Sequence, residues 1–102
     1  MKIIYKEPEG DFRQMVIPNE LKPLQDLVGG YIESVTFGSD WLVICNEEGC
    51  ILGLPYNCEV CGVGFFGPII FVGYNSEGDF TDFPASVEQL KKVMPELWKI
   101  SD

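Results

Sequence analysis

The sequence predicts a single α+β domain over residues 1–102, built on a mostly antiparallel sheet of about five to six strands with two helices. Three observations predict it. Short runs of β-branched and aromatic residues recur along the chain, separated by Gly, Pro, Asn and Asp clusters that favour turns. Apolar residues fall at helical spacing in two places. The composition, 46% hydrophobic and 13% aromatic, is that of one globular unit long enough to bury a core of its own.

Taken in order, Lys2–Lys6 alternates and reads as a first strand, residues 7–11 as its turn and residues 12–17 as the return strand. A short helix follows, with Pro23 suited to the first helical position, Leu24, Leu27 and Val28 on one stripe, and Gly29-Gly30 as a left-handed stop. Residues 31–37 alternate as a strand and Gly38-Ser39-Asp40 turns it. Residues 41–45 and 50–54 flank Asn46-Glu47-Glu48-Gly49, which has the form of a hairpin loop. Residues 55–67 read as a glycine-rich loop. Ile69–Tyr74 is nearly all apolar and is expected at the centre of the sheet, with residues 75–79 as the next turn. Ser86 and Gln89 form a capping box for a second helix that carries Val87, Leu90 and Met94 on one face and is expected to end at Pro95. Residues 97–100 are apolar enough to dock back on the core. The chain shows no repeat, low-complexity segment or interdomain linker.

The charge map excludes more than the fold does. All seven basic residues (Lys2, Lys6, Arg13, Lys22, Lys91, Lys92, Lys99) lie in the flanks, and residues 23–90 hold ten carboxylates with no basic residue. A net charge of −9 repels phosphate backbones, so direct DNA or RNA binding is not expected. The first residues run into charge too soon for the apolar region of a signal peptide, and the longest uncharged run, residues 60–76, is too broken by glycine to span a bilayer. A cytoplasmic protein without a membrane partner is the expectation, its cysteines reduced.

Several motifs carry a sharper and a blander reading. Gly62-Val63-Gly64-Phe65-Phe66-Gly67 matches G-x-G-x-x-G, but Pro68 and a β-branched run follow where a dinucleotide site needs a helix. The nearest basic residue is more than twenty positions away, so this is loop chemistry. Cys58 and Cys61 have the spacing of a zinc knuckle, and Cys45 and Cys50 would face one another across a regular hairpin. Four thiolates would meet if residues 55–57 fold the second pair back; the same residues serve equally as small buried hydrophobes, and no cofactor is the default. With no histidine, nucleophile elbow or P-loop lysine, an enzyme is not expected. The paired acids Glu47/Glu48 and Asp79/Asp82, with Glu77, sit at expected turns, where solvated carboxylates are ordinary. Phe65 and Phe66, if displayed on the 55–67 loop, would form an apolar ligand surface with Asn57; local capping is the alternative for that amide.

The runs Leu24-Gln25-Asp26-Leu27-Val28-Gly29-Gly30-Tyr31-Ile32-Glu33, Ile44-Cys45-Asn46-Glu47-Glu48-Gly49 and Leu54-Pro55-Tyr56-Asn57, with Phe66-Gly67-Pro68 leading to Phe71-Val72-Gly73, resemble a family of small proteins of unknown function. Phages and mobile elements of Gram-positive bacteria encode that family. The resemblance implies an accessory role and supplies no catalytic residues. Joined to the charge map, it leads to the expectation of a non-catalytic acidic binding protein. Glu47, Glu48, Glu77, Asp79 and Asp82 would engage a protein partner with a basic, nucleic-acid-binding surface, such as a host defence protein. A small-ligand binder using Asn57, Phe65 and Phe66, and a small zinc domain using Cys45, Cys50, Cys58 and Cys61, are the alternatives.

Overall fold

In the computed structural model, which describes the backbone of residues 1–98 and the side chains of residues 1–93, eight strands and two helices follow one another. They are β1 (Lys2–Lys6), β2 (Arg13–Val16), α1 (Leu21–Val28), β3 (Ile32–Thr36), β4 (Trp41–Asn46), β5 (Tyr56–Val60), β6 (Val63–Phe66), β7 (Ile69–Tyr74), β8 (Phe80–Thr81) and α2 (Val87–Trp98). The main sheet runs β2-β1-β7-β4-β3, with β8 paired to the end of β7, and every pairing in it is antiparallel. β5 and β6 form a separate two-stranded hairpin. The α+β expectation is met.

β7 is central because its sequence leaves it no exposed face. Ile69, Ile70, Phe71 and Val72 are fully buried, and the strand is paired to β1 on one side and β4 on the other. Successive side chains point to opposite faces. Ile70 and Val72 therefore join Ile3, Tyr5, Leu42 and Ile44 under Leu24 and Val28 of α1. Ile69 and Phe71 join Ile4, Val43 and Cys45 on the other face, under Cys58, Val60 and Phe65 of the hairpin and Leu90 of α2. The result is three layers. Phe71 sits at the heart of the second core, with ring centroids of Phe12, Phe83 and Trp41 at 5.8, 5.9 and 6.3 Å.

Four local expectations are corrected. Pro23 is the third residue of α1, which begins at Leu21 after an extended Glu20; the helix stops, as expected, at left-handed Gly29. Residues 50–54 are not a strand. Asn46 accepts the Glu48 N–H on its side chain and the Gly49 N–H on its carbonyl, starting a run of turns that continues to Gly53. Residues 55–67 are not a loop but hold the β5–β6 hairpin. Its two connecting residues, Cys61 (φ 48°) and Gly62 (φ 84°), both lie at positive φ, the geometry of the tight turn whose twist matches the strands it joins. Finally, α2 does not end at Pro95 but runs to Trp98; the missing proline N–H removes one helical hydrogen bond without stopping a helix already fixed at its start. That start is the capping box: the Ser86 N–H donates to Gln89 Oε1 at 2.8 Å, and the Gln89 N–H donates to Ser86 Oγ at 3.1 Å. The side chain of Met94 and the docking of residues 97–100 lie outside the described residues.

Packing of this kind makes a definite claim about stability. Phe71→Ala is expected to cost about 3–5 kcal/mol in urea unfolding, because it removes a ring and leaves a cavity at the heart of the second core. Val16→Ala, at a side chain 77% exposed on β2, is expected to stay within about 0.5 kcal/mol of the parent.

Candidate interaction surface

The end of the sheet where β4 runs out is built around one buried amide. Asn46 Nδ2 donates to the Val28 carbonyl at the close of α1 (3.1 Å), while Oδ1 accepts the Glu48 N–H (2.7 Å). One side chain thus joins a helix end to a turn. The turn then tightens on itself, with the Leu52 N–H donating to the Glu48 carbonyl (2.8 Å) and the Leu54 N–H to the Gly49 carbonyl (2.9 Å). Gly49 is pressed against β6: a Cβ there would lie 2.7 Å from the Phe66 carbonyl oxygen. With its backbone pulled inward, the turn throws its side chains out. Ile51 is 84% exposed and Leu52 59%; Tyr31, whose carbonyl accepts the Glu47 N–H at 2.9 Å, is 69% exposed at the same end.

Carboxylates surround these apolar tips. A cleft of about 470 Å³ lies between α1 and the turn, bounded by Asp26, Tyr31, Asn46, Glu48 and Leu52. A groove of about 230 Å³ lies on the other side of the turn, bounded by Glu33, Val35, Cys45, Glu47, Val63 and Phe66. Lys22 is the cation at this end, and it is held by Asp26 four residues on. Glu33, Glu47 and Glu48 take part in no ion pair among the described residues.

The five acids expected to act together are divided by the fold. β4 and β7 are antiparallel, so the turn after β4, with Glu47 and Glu48, and the turn after β7 lie at opposite ends of the sheet. Glu77 and Asp79 are placed there by Asn75, whose Oδ1 accepts both their N–H groups at 3.0 Å. Asp82 is engaged too, its Oδ1 accepting the Lys2 backbone N–H at 2.8 Å. The five acids thus form two groups, one at each end of the sheet. Asp26 and Glu33 join Glu47 and Glu48 instead. Sequence reading missed both because they lie on a helix and a strand, although their distance from any basic residue but Lys22 was visible.

The residues expected to hold a small ligand serve the fold. Asn57 Nδ2 donates to the carbonyls of Lys6 and Gly67, both at 2.9 Å, and its Oδ1 accepts from Lys6 Nζ at 2.9 Å. That amide ties β5 to β1 and to the exit of β6. Phe65 is buried in the core, and Phe66 packs edge-to-face against Tyr56 with centroids 5.5 Å apart. The expected ligand surface on a 55–67 loop is corrected accordingly: those residues hold a hairpin closing one core. Gly62, the first glycine of the phosphate-binding pattern, is the second residue of an X-Gly hairpin turn.

The cysteines split by burial. Cys45 and Cys58 are buried, Cys50 and Cys61 exposed, and all four are free thiols. Among the described residues no three His, Cys, Asp or Glu side chains converge as a metal-ligand set. Cys45 and Cys50 do not face one another across a hairpin, because residue 50 lies in the turn. Burial pushes the thiols of Cys45 and Cys58 from 9.0 up to about 11, with the Glu33 charge adding to the effect at Cys45 and Lys6 opposing it at Cys58. Each buried thiol thus holds its proton more tightly folded than unfolded. Above pH 9 the unfolded chain loses protons that the folded one keeps, so stability falls as pH rises from 9 toward 11. At neutral pH iodoacetamide is expected to label Cys50 and Cys61 and to spare Cys45 and Cys58 until denaturant is added; labelling of all four at equal rates, read by mass spectrometry, would contradict the assignment.

No helix among the described residues is long and apolar enough to cross a membrane. No curated protein and no solved structure matches the chain. Residues 1–94 match the family described as Domain of unknown function (DUF3846). Three of the runs whose order resembles such a family, 24–33, 44–49 and 54–57, border the two ends of the turn described above. The chain belongs to the DUF3846 family.

Proposed function

We propose that this protein is a non-catalytic binding protein, an accessory factor of a phage or other mobile element acting in the host cytoplasm. Its partner is a protein with a basic, nucleic-acid-binding surface, most concretely a host defence protein. The contact is made by the sheet end around residues 47–53. One observation carries the reading: Tyr31, Ile51 and Leu52 stand exposed together, bordered by Asp26, Glu33, Glu47 and Glu48, with Lys22 already held by Asp26.

That combination has a physical rationale. Exposed apolar tips gain from being covered, at roughly 25 cal/mol per Å² removed from water. The unpaired acids around them choose the partner's sign and steer its approach. A rim of carboxylates repels nucleic acid itself while favouring the lysine- and arginine-rich surfaces that bind it. The second acidic group lies at the β7–β8 end, away from these apolar tips, and contributes to the long-range field alone.

Mutation at the two ends of the sheet tests this. Glu47→Lys with Glu48→Lys is expected to weaken partner capture from host lysate by about tenfold or more, equivalent to roughly 1.4 kcal/mol. Glu77→Lys with Asp79→Lys is expected to change it by about twofold or less, since those charges act only at a distance. Capture should also fall steeply between about 50 mM and 500 mM salt. Equal losses from both pairs, or a partner whose mapped surface is not basic, would overturn the proposal.

A further inference from the structure

β3 ends the main sheet, and the hydrogen bonds at its two ends show which of its backbone groups remain open. The Phe37 N–H donates to the Trp41 carbonyl at 3.4 Å, and the Glu47 N–H donates to the Tyr31 carbonyl at 2.9 Å. In an antiparallel ladder, hydrogen-bonded and non-hydrogen-bonded pairs alternate. With the observed register, Glu33 opposite Cys45 and Val35 opposite Val43 are then the bonded pairs. The N–H and C=O groups of Ile32, Ser34 and Thr36 point the other way, to the outside of the sheet. Among the described residues no backbone group bonds to them there.

The side chains beside this edge are of one sign. Glu33 lies on the face shared with Cys45, and Glu47, paired with Tyr31 two residues along, lies on that face as well. Both border the groove floored by Val35 and Cys45. The other outer edge differs. On β2 the outward groups belong to Gln14 and Val16, because Met1 and Ile17 exchange both hydrogen bonds at the end of that ladder (2.7 and 3.0 Å). Arg13 stands beside that edge, over the Tyr5 ring.

We propose that the β3 edge is a strand-addition site for an extended basic segment of the partner protein, which pairs with Ile32, Ser34 and Thr36 and sets alternate lysine or arginine side chains along Glu33 and Glu47. The assignment rests on the functional reading above and names the mode of contact. Backbone pairing supplies affinity without regard to sequence, and the pockets under alternate side chains supply the preference. A lysine or arginine stem crossing Val35 keeps its methylenes on apolar surface and its charge at the carboxylates. A second copy of this chain fits the edge poorly. Two β3 strands centred on Ser34 would bring both copies of Glu33 and Glu47 into one patch, and each molecule carries a net charge of −9.

The probe is an eight-residue peptide alternating lysine and threonine, titrated into ¹⁵N-labelled full-length protein. The expected result is a shift of the Ile32, Ser34 and Thr36 amides and slower exchange of all three, with Gln14 and Val16 unmoved. A peptide N-methylated on the edge that would face β3 keeps its charge and loses its donors; it should bind at least about tenfold more weakly, as should Ser34→Pro protein, whose fold is checked by the unchanged remainder of its spectrum. If N-methylation leaves binding unchanged while Glu47→Lys weakens it, strand addition fails and the electrostatic surface stands. If neither change matters, both fail. Shifts confined to Gln14 and Val16, or a concentration-dependent dimer through β3, would also overturn the assignment.

Discussion

The fold depends on a strand that has no face to show to water. Ile69, Ile70, Phe71 and Val72 must be covered on both sides, and their backbone must be paired on both edges. That single demand draws β1 and β4 to either side of β7, α1 over one face, and the β5–β6 hairpin with α2 over the other. The strands that follow β1 and precede β4 are left as the outer pair. Among the described residues, the outer edges of that pair are left without a further strand.

At one of those ends two asparagines divide the work. Asn57 closes the core by joining three strands' backbones, and Asn46 closes the sheet end by joining a helix to a turn. Asn57 spends both amide hydrogens on backbone carbonyls, and Asn46 is buried with Nδ2 on a helix end and Oδ1 on a turn amide. What they do is set the backbone so that Tyr31, Ile51 and Leu52 face solvent while Glu47 and Glu48 stand beside them. The ion pairs Arg13–Glu7, Lys22–Asp26 and Lys91–Asp11 are all exposed and add little to stability. The negative field at the turn is therefore not the residue of a stabilising network.

Elements set by strong local chemistry were legible in the sequence. The apolar run Ile69–Tyr74 announced a central strand, Gly29-Gly30 a helix stop, and Ser86 with Gln89 a helix start. Elements decided by side-chain hydrogen bonds over a distance were not. Residues 50–54 have strand-like composition, and only the capture of the Glu48 and Gly49 N–H groups by Asn46, itself anchored on the Val28 carbonyl, shows why they turn away. Residues 55–67 hid a hairpin behind glycines, because Cys61 adopts a positive φ that its side chain does not advertise. For the surface, the sign of the charge and the exposed acids at the turns were legible. It could not give the antiparallel run of β4 and β7 that separates Glu47 from Glu77, nor the contribution of Glu33, which depends on the register of β3 against β4.

Residue-resolved amide hydrogen exchange of the native protein tests the central claim, that a doubly covered β7 leaves an open, one-sided edge at β3. The account predicts the slowest exchange at residues 69–72, limited by global unfolding. Along β3 it predicts alternation, with Glu33 and Val35 protected by β4 and Ser34 and Thr36 exchanging close to the rate of an unstructured chain. Equal protection of Ser34 and Glu33 would mean the edge is already covered, and exchange at β7 faster than at β2 would mean the sheet is organised around another strand. Either result would contradict the account.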